Sequence, residues 1–427
     1  MGEFQSIELP VTTHPLIRSL LELRGNARAC IYTEPLWGIP YNLYIPYASV
    51  YMLAFGLTDT EIGLIASIGF FFQIVTALLS GAITDKMGRK RATLIFDILA
   101  WSVPTLIWMV AQNFYYFVAA AIVNSVWRVT MNSWTCLMVE DSEAEQLVDM
   151  YAWVYISGQM AVFFAPIAGI LINQFSLVPT MRGLYLLAFL MMTLKFVVLN
   201  VYVDETAQGK VRMQESKHQN LFSVLNEYPG VLRQILRTPA TLYTLGIMLA
   251  MSICNLISGN FWAIIVTQKL QIPAADLSLY PFARSALMML FFFLIQPRMK
   301  ELPFKIPMLL GFACYLASLV ILVVLPEKSY LMLLVSVLLE ACGMTTVGPL
   351  LDKMIVVTVN PQERARILSI MYVTVIVLTS PFGWIAGLLS SVDRTLPFFL
   401  AMTLFAVGAF FTWRAARFSE QAEASAA

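Results

Sequence analysis

Glu34 is the residue whose chemistry is hardest to reconcile with its apolar surroundings. It lies a few residues into a long apolar stretch, and Trp37, Tyr41 and Tyr44 follow it at steps of three or four residues. Residues at that spacing share one face of a helix. A carboxylate beneath a ladder of aromatic rings can bind a cationic solute or carry a proton. The alternative is that the rings only pack between helices or lie at a membrane interface.

Asn124 and Arg128 form a second polar pair, one helical turn apart in a later apolar stretch. Arg128 is too far from the end of that stretch to extend its guanidinium easily into water. Glu34 should lie at a comparable depth, so we predict that Glu34 and Arg128 pair, either directly or through a bound substrate. A static salt bridge that only stabilises the fold is the alternative.

The second half of the chain offers Asn255, Trp262 and Glu340 within apolar stretches. Asn255 and Trp262 are two turns apart and share a helix face. Glu340 is the only acid near the middle of this half, and it could carry a proton or accept a substrate cation.

Other charges within apolar stretches are expected to have structural roles. We expect Asp97 to pair with nearby basic residues and Lys195 to extend towards the membrane surface. Arg284 lies two turns from a predicted end, and Asp352 and Lys353 can compensate one another.

A short polar loop separates the second and third apolar stretches. It contains two glycines, an acid and several bases in the pattern G-x-x-x-D-K-x-G-R-K-R, formed by Gly81, Asp85, Lys86, Gly88, Arg89, Lys90 and Arg91. A loop that only anchors two spans needs cations, but it needs neither the aspartate nor the glycines. An acidic stretch at 140–145 could pair with Arg89 or Lys90, and a solvated acidic loop is the alternative.

This loop resembles the signature loop of the major facilitator superfamily of secondary transporters. The resemblance implies an all-α membrane protein with twelve transmembrane helices in two pseudo-symmetric six-helix halves, in which spans 1, 4, 7 and 10 line a central cavity. It also implies that Gly81 lets two helices touch and that Asp85 faces the positive end of a helix in the other half. Arg89 would complete a charge cluster that stabilises one conformation. Arg128 is similar to the span-4 arginine of proton-coupled members.

The composition agrees with a membrane protein. The chain of 427 residues is 59% hydrophobic and 12% charged, whereas a soluble domain has about 25% charged residues. Each apolar stretch is long enough to cross a hydrocarbon core of about 30 Å. The predicted spans are 29–55, 61–81, 92–112, 114–138, 149–173, 181–202, 240–267, 276–297, 306–326, 329–354, 365–390 and 395–415.

The distribution of basic residues predicts the orientation. Most of the 27 lysines and arginines fall on one side if both termini are cytoplasmic, as the positive-inside rule requires. We therefore expect a protein of the cell membrane with both termini in the cytoplasm. The predicted segments are a cytoplasmic N-terminal segment (1–28), a six-helix half (29–202), a linker (203–239), a second six-helix half (240–415) and a cytoplasmic tail (416–427).

Internal repeats support two related halves. Phe70-Phe71-Phe72 recurs as Phe291-Phe292-Phe293, and similar matches at nearly the same offset link spans 5 and 11. Two further predictions concern polar segments. The linker stretch 221–236 should lie along the membrane surface as an amphipathic helix, and 296–301 replaces the signature pattern in the second half without a glycine–aspartate pair.

The sequence also excludes several function classes. It has no phosphate-binding G-x-x-x-x-G-K-[ST] loop for ATP hydrolysis, and its five cysteines show no metal-ligand or disulfide spacing. We therefore expect a protein that is not an enzyme and needs no cofactor, metal or nucleic acid. Its expected partners are a small-molecule substrate, protons and the lipid bilayer, and we expect it to function as a monomer.

These observations predict a secondary transporter that works by alternating access. The aromatic wall beside an acid favours proton-coupled efflux of a small amphipathic or cationic solute. Uptake or facilitated transport of a small polar solute, such as a sugar, organic acid or nucleoside, is the first alternative. Flipping of a lipid-linked substrate is the second.

Overall fold

A computed structural model describes residues 15–143, 146–217, 235, 238–294, 305–357 and 364–426. Within these residues every regular element is a helix. The amphipathic helix predicted at 221–236 lies almost entirely outside the described residues, and the predicted loop at 296–301 lies outside them as well.

The first half consists of six helical spans preceded by a short helix, Pro15–Glu22, and followed by the linker helix Ala207–Glu215. Span 1 is Gly25–Thr33, Pro35–Tyr44 and Ala48–Ala54; span 2 is Asp59–Met87; span 3 is Arg89–Asp97, Ile98–Ser102 and Val103–Met109; span 4 is Phe114–Asn124 and Trp127–Val139; span 5 is Leu147–Val162 and Ala165–Phe175; and span 6 is Leu177–Tyr202.

The second half repeats this arrangement with fewer breaks. Span 7 is Pro239–Gln268, span 8 is Leu279–Leu294, span 9 is Lys305–Val324, span 10 is Tyr330–Val357, span 11 is Arg364–Thr379 and Phe382–Val392, and span 12 is Leu396–Ala426. Predicted and observed spans agree within a few residues at most ends.

Ten spans of the described chain are long and apolar enough to cross a bilayer. Spans 1 and 4 are not among these ten. Counting both gives an arrangement consistent with twelve spans, and the all-helical membrane fold is confirmed.

The breaks occur where the backbone cannot continue a regular helix. Pro35 follows the break in span 1, and Pro46 lies in the 3₁₀ turn Ile45–Tyr47 of the same span. Proline removes a backbone N–H and clashes with the preceding turn. Span 3 contains a π-helical turn, Ile98–Ser102, a form that is rare and frequent at functional sites.

The two halves pack tightly at the end of the bundle that contains the loops after spans 1, 5 and 7, which we call the distal end. Spans 2 and 11 meet there through Gly63, Gly383 and Gly387, and a Cβ atom on Gly63 would lie 2.9 Å from the Cα of Gly387. Gly169 of span 5 is similarly close to the backbone of Ala275. Only glycine permits such close approach of helix backbones.

Polar contacts reinforce this closure. The buried Asp59 carboxylate accepts a hydrogen bond of 2.6 Å from Ser390 and lies 3.4 Å from the Arg394 Nε. Ser67 accepts a hydrogen bond from the Trp384 backbone N–H. The described hydrogen bonds between the halves lie at the distal end or, as between Ser285 and Gln159, near the middle of the bundle. The structure is therefore closed at the distal end.

We predict that Gly63→Ala opens the distal end, because the added methyl group would collide with the backbone of span 11. The distance between spin labels at the distal ends of spans 2 and 11 should increase. Gly183→Ala is the matched control, since a Cβ there meets no atom within 4 Å. An unchanged distance in Gly63→Ala would contradict the glycine contact as the closure.

Candidate substrate and proton site

Two cavities lie side by side and share Ile45 of span 1 as a wall. One is lined by the first half together with Asn260 of span 7, and the other is lined by both halves. The larger, which we call the N-half cavity, has a volume of about 540 Å³, and the C-half cavity has a volume of about 350 Å³. Cavities of this size suit a small organic molecule. The N-half cavity is lined by residues including Glu34, Trp37, Tyr41, Tyr44, Asp97, Trp101, Asn124, Thr130, Trp134, Tyr185 and Lys195.

Glu34 forms the central ion pair of the N-half cavity with Lys195 of span 6. The Lys195 Nζ donates a hydrogen bond of 2.8 Å to Glu34 Oε2, and the two side chains are only 6% and 14% exposed. The break between Thr33 and Pro35 places Glu34 at the junction of two helices. Lys195 also lies over the rings of Trp37 and Trp134 at 5.9 and 5.6 Å.

Asp97 of span 3 faces the same cavity and is almost completely buried. Its Oδ1 accepts a hydrogen bond of 2.6 Å from the Thr130 hydroxyl. Its Oδ2 has no hydrogen-bonding partner among the described residues. The π-helical turn of span 3 begins at the next residue.

The aromatic ladder of span 1 forms one wall of this cavity, as the spacing predicted. Trp37 and Tyr41 stack with their ring centroids 4.7 Å apart, and Tyr44 contacts Tyr185 at 5.0 Å. The Trp37 indole N–H and the Tyr44 hydroxyl are buried without a partner among the described protein atoms. Buried polar groups are normally hydrogen-bonded, so these two donors are available to a solute.

The C-half cavity contains a second ion pair. The Arg284 guanidinium of span 8 lies 3.4 Å from the Glu340 carboxylate of span 10, and Asn255 and Trp262 of span 7 line the same space. The adjacent Ser285 donates a hydrogen bond of 2.6 Å to the Gln159 side chain of span 5 and so connects the halves beside the cavity.

The predicted direct pair between Glu34 and Arg128 is wrong for this structure. Arg128 donates to Gln73 at 3.1 Å, and its guanidinium lies 4.0 Å from the Trp127 ring. Arg128 lines neither cavity. Asn124 does line the N-half cavity, where its amide donates to the Ala100 carbonyl. The position of Arg128 along span 4 indicates its depth in the membrane but not the direction of its side chain. The orientation of span 4 about its own axis directs Arg128 towards Gln73 of span 2.

The signature loop forms a compact charge cluster with the first half and the start of the linker. The Arg89 guanidinium, whose side chain is 5% exposed, lies 2.9 Å from both Asp85 and Glu140. The predicted pairing of Arg89 with the acidic stretch is therefore confirmed. Glu205 accepts hydrogen bonds from the backbone N–H groups of Arg89 and Lys90, where a helix N-terminus favours negative charge.

Gly88 has a positive φ of 83°, which only glycine adopts without strain, and a Cβ atom there would lie 2.5 Å from the Glu205 carboxylate. Lys86 is exposed and Lys90 is half-buried.

Two roles expected for this loop are not observed. Asp85 forms no hydrogen bond or ion pair with a described residue of the second half, since its carboxylate binds Arg89 instead. A Cβ atom at Gly81 would meet nothing within 4 Å, so Gly81 mediates no close helix contact here. The signature loop lies at the end of the bundle opposite the distal end. Asp85 and Gly81 therefore lack the contacts expected of them, among the described residues, in a structure in which the halves are closed at the distal end.

Sequence reasoning missed Lys195, Asp97 and Arg284 as cavity residues. Lys195 does not extend to the surface, and Asp97 binds Thr130 rather than the loop cations. A usable signal was present in the sequence. Asp97 lies about two helical turns after the start of span 3 and Lys195 about two turns before the end of span 6, which places both at a similar depth from the same end of the bundle. A comparison of the depths of all charged residues within the predicted spans would have placed Lys195 and Asp97 at the level of Glu34.

Comparison with known proteins agrees with this architecture. Residues 38–375 match the family model described as Major Facilitator Superfamily. The chain belongs to the major facilitator superfamily. It is accordingly an integral membrane protein of a transporter family and not an enzyme. No curated protein sequence matches this superfamily member.

Solved transporters share the fold of this superfamily member at low sequence identity. A POT family transporter in complex with a thioalcohol-conjugated peptide is 13% identical, with a TM-score of 0.70 over 94% of this chain and 99% of that one. The nucleoside transporter NupG is 12% identical, with a TM-score of 0.66 over 93% and 99%. The human organic anion transporter MFSD10 is 14% identical, with a TM-score of 0.61 over 94% and 100%.

We predict that Lys195→Ala destabilises the protein by about 3–5 kcal/mol, because it leaves the buried Glu34 carboxylate without its partner. Adding Glu34→Gln should recover much of this loss. Reversible unfolding in detergent measures both effects. Arg18→Ala is the control, because its pair with Glu22 is exposed and should contribute less than about 1 kcal/mol. Equal losses in the single and double variants would contradict a coupled pair.

Proposed function

We propose that this chain is a secondary transporter that couples the movement of a small amphipathic or cationic solute to protons by alternating access. The observation that carries the proposal is the N-half cavity, which combines an aromatic wall with buried carboxylates and reaches Asn260 of the second half. Efflux is the expected direction, because this lining suits amphipathic compounds better than strongly hydrated ones. The similar transporters are described with a peptide, nucleosides and organic anions, and these differ too much in chemistry to choose a substrate.

The solute would occupy the N-half cavity, with its ring against Trp37 and Tyr41. Stacking and burial would supply most of the affinity. The unpartnered Trp37 N–H and Tyr44 hydroxyl would orient a polar group of the solute. The adjoining C-half cavity, with Arg284 and Glu340, would accommodate the remainder of a longer molecule.

Exchange between conformations would require the distal closure to open and the opposite end to close. The glycine contact of spans 2 and 11 provides the first closure. The signature loop would provide the second, if Asp85 exchanged its contact with Arg89 for one with the other half. A ligand shifts such an equilibrium only by binding the two conformations differently.

The decisive experiment is solute-dependent proton movement in proteoliposomes. Cationic drugs, sugars, organic acids and nucleosides are screened with the parent protein, Glu34→Gln, Glu340→Gln and the exposed control Glu327→Gln. We expect a cationic drug to drive protons in the opposite direction in the parent and the control. Glu34→Gln should abolish this coupling, because the cavity then lacks the acid paired with Lys195.

Other results would replace the proposal. Movement of solute and protons in the same direction would identify an uptake symporter. Solute movement without protons, unaffected by either cavity substitution, would identify a facilitator.

For the signature loop, we predict that Asp85→Asn lowers the transport rate about tenfold, which corresponds to about 1.4 kcal/mol in the barrier. Solute affinity should change little, since Asp85 lies outside both cavities. Initial rates and equilibrium binding are measured on the same preparations. Glu215→Gln is the control, because Glu215 forms an exposed pair with Arg212. A parallel loss of binding and rate would refute the conformational role.

A further inference from the structure

The N-half cavity contains two carboxyl groups, those of Glu34 and Asp97, and one amine, that of Lys195, so one cation is present for two acids. Lys195 donates a hydrogen bond of 2.8 Å to Glu34, and it forms no ion pair with Asp97. Asp97 nevertheless lies within electrostatic range of both residues. An ionised carboxylate buried without a cationic partner is unfavourable by several kcal/mol.

The described groups that surround Asp97 supply no cation of its own, and they leave one oxygen of its carboxyl group able to hold a proton. Span 4 presents the Thr130 hydroxyl, which is committed to Oδ1, and Oδ2 has no partner among the described atoms. Span 6 presents Lys195, and span 1 presents Glu34 and the buried thiol of Cys30. A thiol has an ordinary pKa of about 8.5 and is neutral near pH 7. Lys195 is therefore the cation available to both acids.

We propose that Asp97 is the proton-carrying residue, and that Lys195 alternates between Glu34 and Asp97 so that a proton on Asp97 is exchanged for an organic cation on Glu34. This inference rests on the proposed transport function and identifies its coupling residue and substrate class. The proton is assigned to Asp97 rather than to Glu34, because Glu34 already has a hydrogen-bonded cation and Asp97 has a free carboxyl oxygen.

The exchange conserves the charge of the cavity. In the first state Asp97 is protonated, and Glu34 is paired with Lys195 as the structure shows. In the second state Asp97 has released its proton to water, and Lys195 pairs with the Asp97 carboxylate. Glu34 is then ionised and free to pair with one monovalent cation. One proton therefore leaves for each cation that binds.

The surroundings of Glu34 suit an organic cation with aromatic character. Trp37 and Trp134 already lie over the Lys195 ammonium group at 5.9 and 5.6 Å. If Lys195 moves towards Asp97, these ring faces become available to the cation of the solute. Tyr41, stacked on Trp37, extends the wall along which a hydrophobic body can lie.

The first test needs no solute. Infrared spectra of the purified full-length protein near neutral pH are compared in the carbonyl stretching region of un-ionised carboxylic acids. We expect a band in the parent that is absent in Asp97→Asn and retained in the exposed control Glu327→Gln. Thr130→Val should shift this band without removing it, because it deletes the hydrogen bond to Oδ1 and keeps the side-chain shape.

The second test uses tetraphenylphosphonium as the probe cation. Its binding to the parent in weakly buffered detergent solution should release protons, detected with a pH-sensitive dye. The affinity for the probe should increase about tenfold for each unit by which the pH rises, as long as Asp97 is protonated in the free protein. In Asp97→Asn binding should be weaker, independent of pH and without proton release, because the neutral amide leaves Lys195 on Glu34.

The outcomes separate the inference from the transport function. A band that persists in Asp97→Asn and disappears in Glu34→Gln would place the proton on Glu34 and overturn the assignment. Binding of the probe without proton release, or no binding to the parent, would overturn the exchange with an organic cation. If the band follows Asp97 but proteoliposomes move no solute, the transport function fails while the proton site holds.

Discussion

An ionised side chain within a membrane-spanning bundle requires a partner, and the N-half cavity contains two carboxylates but one lysine, which pairs with Glu34. Lys195 is almost completely buried, so its charge is tolerable only beside Glu34. This requirement fixes the relative positions of spans 1 and 6 and brings Asp97 of span 3 to the same point. A buried ion pair contributes little net stability, but the loss of one partner leaves an uncompensated charge that is strongly destabilising. The geometry around Lys195 and Glu34 is therefore strongly constrained.

The helix irregularities of the first half concentrate around this cavity. Span 1 is broken beside Glu34, span 3 has its π-helical turn directly after Asp97, and span 4 is interrupted at Ser125. Non-helical backbone within a bilayer is tolerated where it is buried in protein or lines a cavity. The irregular turns therefore position cavity side chains that a regular helix would direct elsewhere.

Two different kinds of contact govern the two ends of the bundle. At the distal end, glycines let spans 2 and 11 touch and Asp59 binds across to Ser390. At the opposite end, the Arg89 cluster is formed by the first half and the start of the linker, with Glu140 and Glu205 as its partners. Packed helices shift between discrete arrangements rather than deform continuously, so the distal contacts and the loop cluster are suited to exchange as units.

The sequence by itself determined the membrane class, the approximate limits of the spans and the aromatic ladder above Glu34, because hydropathy and helical spacing are local properties. The signature loop likewise indicated the superfamily. Which charges meet was decided only by the tertiary structure. Arg128 turned towards Gln73, while Lys195 and Asp97 turned inward to the cavity that holds Glu34. The rotation of each span about its axis depends on packing against its neighbours, and a single helix does not contain that information.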